Sequence, residues 1–158
     1  MATQKKINDS TEHWAQILHK HWGVKAKLSE LDGEYDLNFL AISSSRRPLI
    51  LKIMRENCPK WLVEAQIAAM QHIEGIAKLS STPKVFLNLK GQSCIEVTDD
   101  FGNIQFIWVL EYIPGKCLAK LRPKPLNLIE EIGEALGATT TALSSYDNDK
   151  LDRSFKWN

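Results

Sequence analysis

The segment Pro48–Met54 constrains the fold most, because it places a single lysine, Lys52, inside an otherwise apolar run. Such a run is typical of a buried strand, and an unpaired charge in an apolar setting costs free energy. Two arrangements relieve that cost. The lysine reaches water along an edge of the sheet, which is the commoner case, or it points into a cleft, meets a carboxylate and binds a phosphate. Glu64 and, in the connecting turn, Glu56 are the candidate carboxylates.

Composition narrows the class of protein. The chain has 158 residues, enough for one domain, and 44% of them are hydrophobic. The net charge of +1 offers no basic field for nucleic acid. No apolar run approaches the roughly 18 residues of a membrane span, and the first residues lack the apolar stretch of a signal peptide. We therefore expect neither nucleic acid nor a membrane as a partner.

Cysteine and histidine usage indicates the compartment and the metal content. Cys58, Cys94 and Cys117 form no C-x-x-C pair, which favours free thiols in a reducing cytoplasm. The four histidines show no metal-binding spacing. No residue of this chain is expected to bind a metal ion.

The first predicted element is a helix of about three turns. Asp9 and Glu12 have the spacing of a capping box, and Gly23 stands where a left-handed carboxyl-terminal cap belongs. The apolar residues between them share one helical face: Trp14, Ile17, Leu18 and Trp22.

A meander of three strands is expected next. Apolar and polar residues alternate between Val24 and Ile42, and Asp32-Gly33 interrupts them in the manner of a tight hairpin turn. Leu49–Met54 follows as a third, antiparallel strand.

A second helix opens at Cys58-Pro59. Its buried stripe is predicted to comprise Leu62, Ala65, Ala69 and Ile73, with Glu64 off that stripe.

The second half of the chain predicts more strands and then helices. The strands are expected at Val85–Leu89, Ser93–Thr98 and Ile104–Tyr112, the last of them long and central. Pro114-Gly115 breaks the chain. A short helix precedes Pro123, and a long one follows as far as Leu143. Its Gly133 and Gly137 predict close packing against a neighbouring element. The polar tail ends in two aromatic residues, Phe155 and Trp157, which are expected either to dock on something that this chain lacks or to fold back.

This order of elements resembles the small lobe of kinase-like phosphotransferases. Short stretches are similar to the aminoglycoside-phosphotransferase-like family near its hydroxylysine kinases, in which related lobes also open longer chains that carry a class III aminotransferase. The stretches are Trp22-Gly23-Val24, Leu28-Ser29-Glu30, Asp36-Leu37-Asn38-Phe39, Leu51-Lys52-Ile53, Glu64-Ala65-Gln66 with Met70, and Leu110-Glu111-Tyr112-Ile113-Pro114-Gly115. The end of the chain, from Arg153 to Asn158, is similar to the family's lead into its large lobe.

The resemblance implies an α+β fold with a mostly antiparallel five- or six-stranded sheet and a packed helix. Residues 1–115 would form the kinase-like lobe, with a hinge at its end. Residues 116–158 would form the linker and first helices that lead to a large lobe absent from this chain.

The resemblance also implies a nucleotide site. Lys52 would hold the α- and β-phosphates of ATP or GTP, and Glu64 would pair with Lys52 to set its position. The turn around Gly33 would lie over the phosphates, although its one glycine departs from a G-x-G-x-x-G loop. The carbonyl of Glu111 and the amide of Ile113 would bind the edge of the purine.

The family's catalytic residues lie in the large lobe. No H-x-D-x-x-x-x-N loop follows Gly115, and the ligands of Mg²⁺ would also belong to that lobe. Asp100-Phe101-Gly102 spells the metal-binding tripeptide of protein kinases, but no catalytic loop precedes it, so a hairpin turn is predicted there. This chain alone is expected to be inactive as a kinase. The acceptor, whether hydroxylysine, an aminoglycoside or another amino alcohol, stays open.

Three functions therefore compete. The chain is the nucleotide-binding lobe of a small-molecule phosphotransferase, or a non-catalytic kinase-like module that contacts a downstream domain of a larger protein. The third possibility is a generic α+β domain with an incidental lysine, which predicts that Lys52 lies far from Glu64.

Overall fold

The computed structural model describes residues 2–76, 82–98, 102–123 and 125–151. Two short 3-10 helices lie at Leu118–Lys120 and Asp149–Leu151. The other elements, in chain order, are α1 (Ala2–Trp22), β1 (Lys27–Leu31), β2 (Leu37–Ile42), β3 (Leu49–Ile53), α2 (Lys60–Ile76), β4 (Cys94–Thr98), β5 (Ile104–Glu111) and α3 (Leu126–Leu143).

The described strands form one five-stranded antiparallel sheet in the order β1-β2-β3-β5-β4. The predicted α+β fold and the antiparallel meander of the first three strands are confirmed. The lysine strand, β3, is the middle strand. β5 was expected to be central; it is interior, with five consecutive buried residues, but lies one place from the edge.

Helices cover the two faces of the sheet unequally. On one face, α1 packs Trp14, Leu18 and Trp22 against apolar side chains from all five strands. On the other face, Leu62, Val63 and Ile67 of α2 pack against Met54, next to the end of β3, and against β5 residues. No described residue of β1 or β2 belongs to that second cluster. The α2 side of the first two strands is therefore left without a helix.

The ends of α1 differ in how well the sequence predicted them. Gly23 has the expected left-handed conformation, with a φ of 69°, and its amide donates to the His19 carbonyl at 2.9 Å. The predicted start of the helix is wrong, because α1 begins at Ala2 and runs through the proposed capping box. A capping signal indicates where a helix can start, but it does not prevent the preceding residues from extending the helix.

Two predicted strands and turns need correction. Between β1 and β2 the chain makes a five-residue connection, Asp32–Asp36, longer than the tight turn that Asp32-Gly33 predicted. Val85–Leu89 is not a strand; Val85 makes an isolated bridge to Leu110. The register of β4 and β5 pairs Thr98 with Ile104, as a hairpin requires, although residues 99–101 lie outside the described part of the chain.

The segment beyond Gly115 packs back on α2. The Tyr146 hydroxyl donates to the Ala65 carbonyl at 3.0 Å, and His72 Nε2 lies 3.1 Å from the Ala142 carbonyl. Gly133 and Gly137 were expected to pack closely against a neighbour. In the described chain an added Cβ at either glycine meets nothing within 4 Å, so this packing is absent.

Other expectations for the second half have mixed outcomes. The predicted long helix is confirmed as α3, and the three cysteines are free thiols. The tail with Phe155 and Trp157 lies outside the described residues. None of the described helices combines the length and apolar character needed to cross a membrane.

We expect Leu51→Ala to destabilise the fold by about 2–5 kcal/mol, because Leu51 is fully buried between the middle strand and α1. Ile129→Ala is the control, since Ile129 on α3 is 57% exposed, and it should change the free energy of unfolding by less than about 0.5 kcal/mol. Urea denaturation followed by circular dichroism measures both. Equal effects would contradict the assigned core.

Candidate functional site

One row of side chains crosses the sheet on the face that carries α2. The register places Lys52 directly between Asn38 on β2 and Trp108 on β5. The row continues to Leu31 on β1 and to Cys94 on β4. Residues directly opposite each other in antiparallel strands share a face, and Trp108 packs in the α2 cluster. Lys52 therefore points to the α2 side, away from α1.

The Lys52 ammonium is held from the β2 side. Its Nζ donates to Asn38 Oδ1 at 3.0 Å and lies 3.8 Å from Asp36 Oδ2. The Lys52 side chain is 21% exposed and that of Asp36 is 19% exposed. On the other side the ammonium lies 5.8 Å from the centre of the Trp108 ring, within range of a cation–π contact. The lysine thus lies on the middle strand and is not an unpaired buried charge.

The turn that contains Gly33 closes over this contact. A Cβ added to Gly33 would collide with the Asp36 carbonyl and would lie 2.5 Å from Asn38 Nδ2. The same Nδ2 donates to the Asp36 carbonyl at 3.0 Å. Glycine is therefore required here by close approach, and the turn is brought against Asp36 and Asn38, the partners of Lys52.

Glu64 does not pair with Lys52 in this structure, so their contact stays a prediction. Its carboxylate lies 3.9 Å from Lys60 Nζ. It is also close enough to Cys94, at the opposite end of the row, to raise the pKa of that thiol. Trp108 occupies the row position between Cys94 and Lys52. The bulky indole thus separates the two charges, which sequence spacing alone cannot reveal.

The predicted hinge follows the strand next to Lys52. Glu111 ends β5, its amide donates to the Lys84 carbonyl at 2.8 Å, and its register partner is Leu49. Ile113 lies beyond the strand and is 41% exposed. Glu111 comes three residues after Trp108, the partner of Lys52, so it lies about 10 Å farther along the strand. The hinge and Lys52 therefore lie at the two ends of the paired segment of β3 and β5 between the Lys52–Trp108 pair and the Leu49–Glu111 pair.

An apolar surface lies between these two places. The row next to Lys52 contains Leu40 and Ile50, both half-buried, and beyond it on β2 is Ile42, which is 53% exposed. These residues share the α2 face; among the described residues, Ile50 packs against the apolar cluster of α2, and no residue of β1 or β2 belongs to that cluster. An apolar surface with an ammonium at one end and the backbone after β5 at the other suits a planar base with attached phosphates.

Two surface cavities lie elsewhere. One, of about 330 Å³, is lined by His21, Lys60, Lys90 and residues around Cys94. The other, of about 410 Å³, lies between α1 and β1. Neither is lined by Lys52, Glu64, Gly33, Glu111 or Ile113. The candidate site is therefore distinct from both of these cavities.

Sequence analysis missed the roles of Asn38 and Asp36. Both lie in a stretch that carried the family resemblance, yet neither was assigned a function. The available signal was their spacing, because residues two apart on a strand point to the same face. Recognising Lys52 as their partner required the register between β2 and β3.

Comparisons with known proteins agree on the fold. No protein-family model and no curated protein matches the chain. Among solved structures, an amicoumacin kinase in complex with AMP-PNP, Ca²⁺ and Ami has a TM-score of 0.72 at 14% identity, over 94% of this chain and 44% of that one. A microcompartment-associated aminopropanol kinase has a TM-score of 0.69 at 15% identity, over 92% of this chain and 45% of that one.

These similarities define the class of fold. The chain has the α+β fold of the small lobe of kinase-like phosphotransferases. It spans less than half the length of either kinase. Both similar structures are small-molecule kinases by their descriptions.

The position of Glu64 can be tested through Cys94. Burial raises the pKa of the Cys94 thiol, the Glu64 carboxylate raises it further, and Lys60 opposes this. We expect Glu64→Gln to lower the pKa and so increase the alkylation rate of Cys94 at pH 8, because the thiolate is the reactive species. Lys60→Gln should slow the reaction. Site-resolved mass spectrometry with iodoacetamide measures both rates, and unchanged rates would place Glu64 elsewhere.

Proposed function

We propose that this chain is the nucleotide-binding lobe of a small-molecule phosphotransferase that uses ATP or GTP with Mg²⁺. The observation that carries the proposal is the Lys52 ammonium, held at the edge of an uncovered apolar sheet face by a single short hydrogen bond. An ammonium has three donors. The contact to Asp36, at 3.8 Å, is longer than a hydrogen bond. Donors therefore remain for phosphate oxygens.

The purine would lie on the apolar surface and be bound at its edge by the hinge. The Glu111 carbonyl and the Ile113 amide are suited to this because backbone groups are rigid and need no particular side chain. The Gly33 turn would then cover the phosphates above Lys52. Support comes from the order of these features along the sheet and from the similar kinase structure that binds AMP-PNP, a nucleotide analogue, with Ca²⁺.

Glu64 enters this proposal as a partner of Lys52 in the nucleotide-bound form. Its present contact with Lys60 joins two side chains that are 53% and 61% exposed, a kind of pair worth about 0.3–0.5 kcal/mol. Replacing the Glu64–Lys60 pair by a Glu64–Lys52 pair would therefore cost little free energy. To reach Lys52, however, the Glu64 carboxylate must move past the Trp108 ring. The unpaired arrangement matches the generic-domain alternative, whereas the likeness of nearly the whole chain to kinase structures supports the phosphotransferase.

The acceptor site, the catalytic base and the Mg²⁺ ligands would come from a second lobe. The chain spans 44% and 45% of the two similar kinases, and the proposed division falls at the hinge, between residues 1–115 and 116–158. Amino alcohols, aminoglycosides and hydroxy amino acids are the proposed acceptor class.

We expect Lys52→Ala to weaken ATP binding by about 10- to 100-fold, because one hydrogen bond to a charged group is worth about 1.5–3 kcal/mol. Isothermal titration calorimetry with MgATP measures the change. Lys25→Ala is the matched control, since Lys25 is an exposed lysine before β1, and should bind as the wild type does. Equal affinity of the Lys52→Ala variant would remove Lys52 from the site.

The alternative, a non-catalytic kinase-like module, gives a different result in the same titration. It predicts no nucleotide binding by the wild-type chain and association with a downstream domain instead. Wild-type binding of MgATP, with loss on Lys52→Ala, would therefore reject the module.

The chain alone should not catalyse phosphoryl transfer, because a positioned lysine without a base and metal ligands cannot do so efficiently. Transfer of ³²P from γ-³²P-labelled ATP to amino alcohol acceptors measures this. Saturable turnover that disappears on Lys52→Ala would contradict the proposed division between lobes.

A further inference from the structure

We propose that Asn38 is a positioning residue that holds the Lys52 ammonium where it can bind the phosphates of a nucleotide. This inference rests on the proposed function and extends it, because it assigns the fixing of Lys52 to the neighbouring strand β2 and does not require Glu64. It joins three observations: the contacts of the Asn38 amide, the close approach of Gly33, and the row across the sheet.

The Asn38 side chain uses both ends of its amide. Oδ1 accepts from Lys52 Nζ at 3.0 Å, and Nδ2 donates to the Asp36 carbonyl at 3.0 Å. The donor end fixes the amide plane against the backbone of its own strand, so the acceptor end is aimed at β3. A lysine has four rotatable side-chain bonds and loses much rotamer freedom when it is fixed. A prealigned acceptor therefore reduces what phosphate binding has to supply.

The turn that contains Gly33 packs against the Asn38 amide and limits its movement. There is no room for a Cβ between the Gly33 Cα and the Asn38 amide, so the turn restricts Asn38 to this position. Asp36 is fixed as well, because its Oδ1 accepts from the Arg55 amide at 3.2 Å. The lysine is thus framed by the turn, by Asn38 and by the Trp108 ring on the opposite side.

The chemistry of the position favours asparagine over its nearest substitutes. Aspartate would retain the acceptor for Lys52 but would lose the donor to the Asp36 carbonyl and add a second carboxylate beside Asp36. That negative charge would repel a polyphosphate. Alanine would remove both bonds and leave Lys52 with only the 3.8 Å contact to Asp36. An amide is neutral and supplies one acceptor and one donor, as this site uses them.

The test compares ligands that differ only in phosphate number. MgATP, MgADP, AMP and adenosine are titrated by calorimetry into the wild type, Asn38→Ala, Asn38→Asp and Asn127→Ala. Asn127 is an exposed asparagine of α3 and serves as the matched control. We expect Asn38→Ala to weaken MgATP and MgADP binding by about tenfold and to leave adenosine binding unchanged. Asn38→Asp should lose more affinity for MgATP, and the difference should shrink at high salt.

A double-mutant cycle shows whether Asn38 acts through Lys52. If it does, adding Asn38→Ala to Lys52→Ala causes no further loss of MgATP affinity, because the two changes remove one interaction. Additive losses would overturn the inference. So would equal weakening of adenosine and MgATP by Asn38→Ala, which indicates a general loosening of the lobe. Thermal melts of each variant identify unfolded protein, and Asn38→Leu, which removes the acceptor but keeps a similar side-chain volume, carries the test if Asn38→Ala does not fold.

The outcomes also separate this inference from the function on which it rests. No nucleotide binding by the wild-type chain would overturn both. MgATP binding that depends on Lys52 but is the same in Asn38→Ala and the wild type would overturn the positioning role alone and leave the proposed function intact.

Discussion

The hydrogen bond between Lys52 and Asn38 is the interaction on which the candidate site depends. The middle strand of the sheet is apolar except for Lys52, and a charge in that position must be paired or hydrated. Strand β2 supplies the partner, and the uncovered part of the sheet supplies access to solvent. The same contact therefore makes the strand compatible with a folded core and leaves its ammonium available to a ligand.

Unequal covering of the sheet gives the site its shape. α1 buries one face along all five strands, whereas α2 covers only the part around β3, β5 and Cys94 of β4 on the other. If α2 extended over β1 and β2, the Lys52 ammonium would be fully desolvated and the apolar surface beside it would be closed. A lobe that binds a ligand on a sheet face needs this incomplete covering.

α2 links the site to the segment beyond the hinge. It carries Glu64 on its outer side, and the carbonyl of the next residue, Ala65, accepts from the Tyr146 hydroxyl. His72 on the same helix contacts the end of α3. The position of Glu64 relative to Lys52 is thus set by packing from both parts of the chain. A shift of the segment that contains Tyr146 would act directly on α2, and through it on the predicted ion pair.

The sequence by itself determined the meander of β1 to β3, the long α3 and the cap at Gly23, because these follow from side-chain periodicity and from local backbone preferences. The α+β fold was implied by the family resemblance of short stretches. The sequence also singled out Lys52 and Gly33, whose residue types are unusual for their positions. Only the tertiary structure decided which side chain meets Lys52. That choice depends on strand register and on the volume of Trp108, which place Asn38 beside the ammonium and keep Glu64 near Cys94. Contacts between strands are set by packing of the whole sheet, and no spacing along the chain encodes them locally.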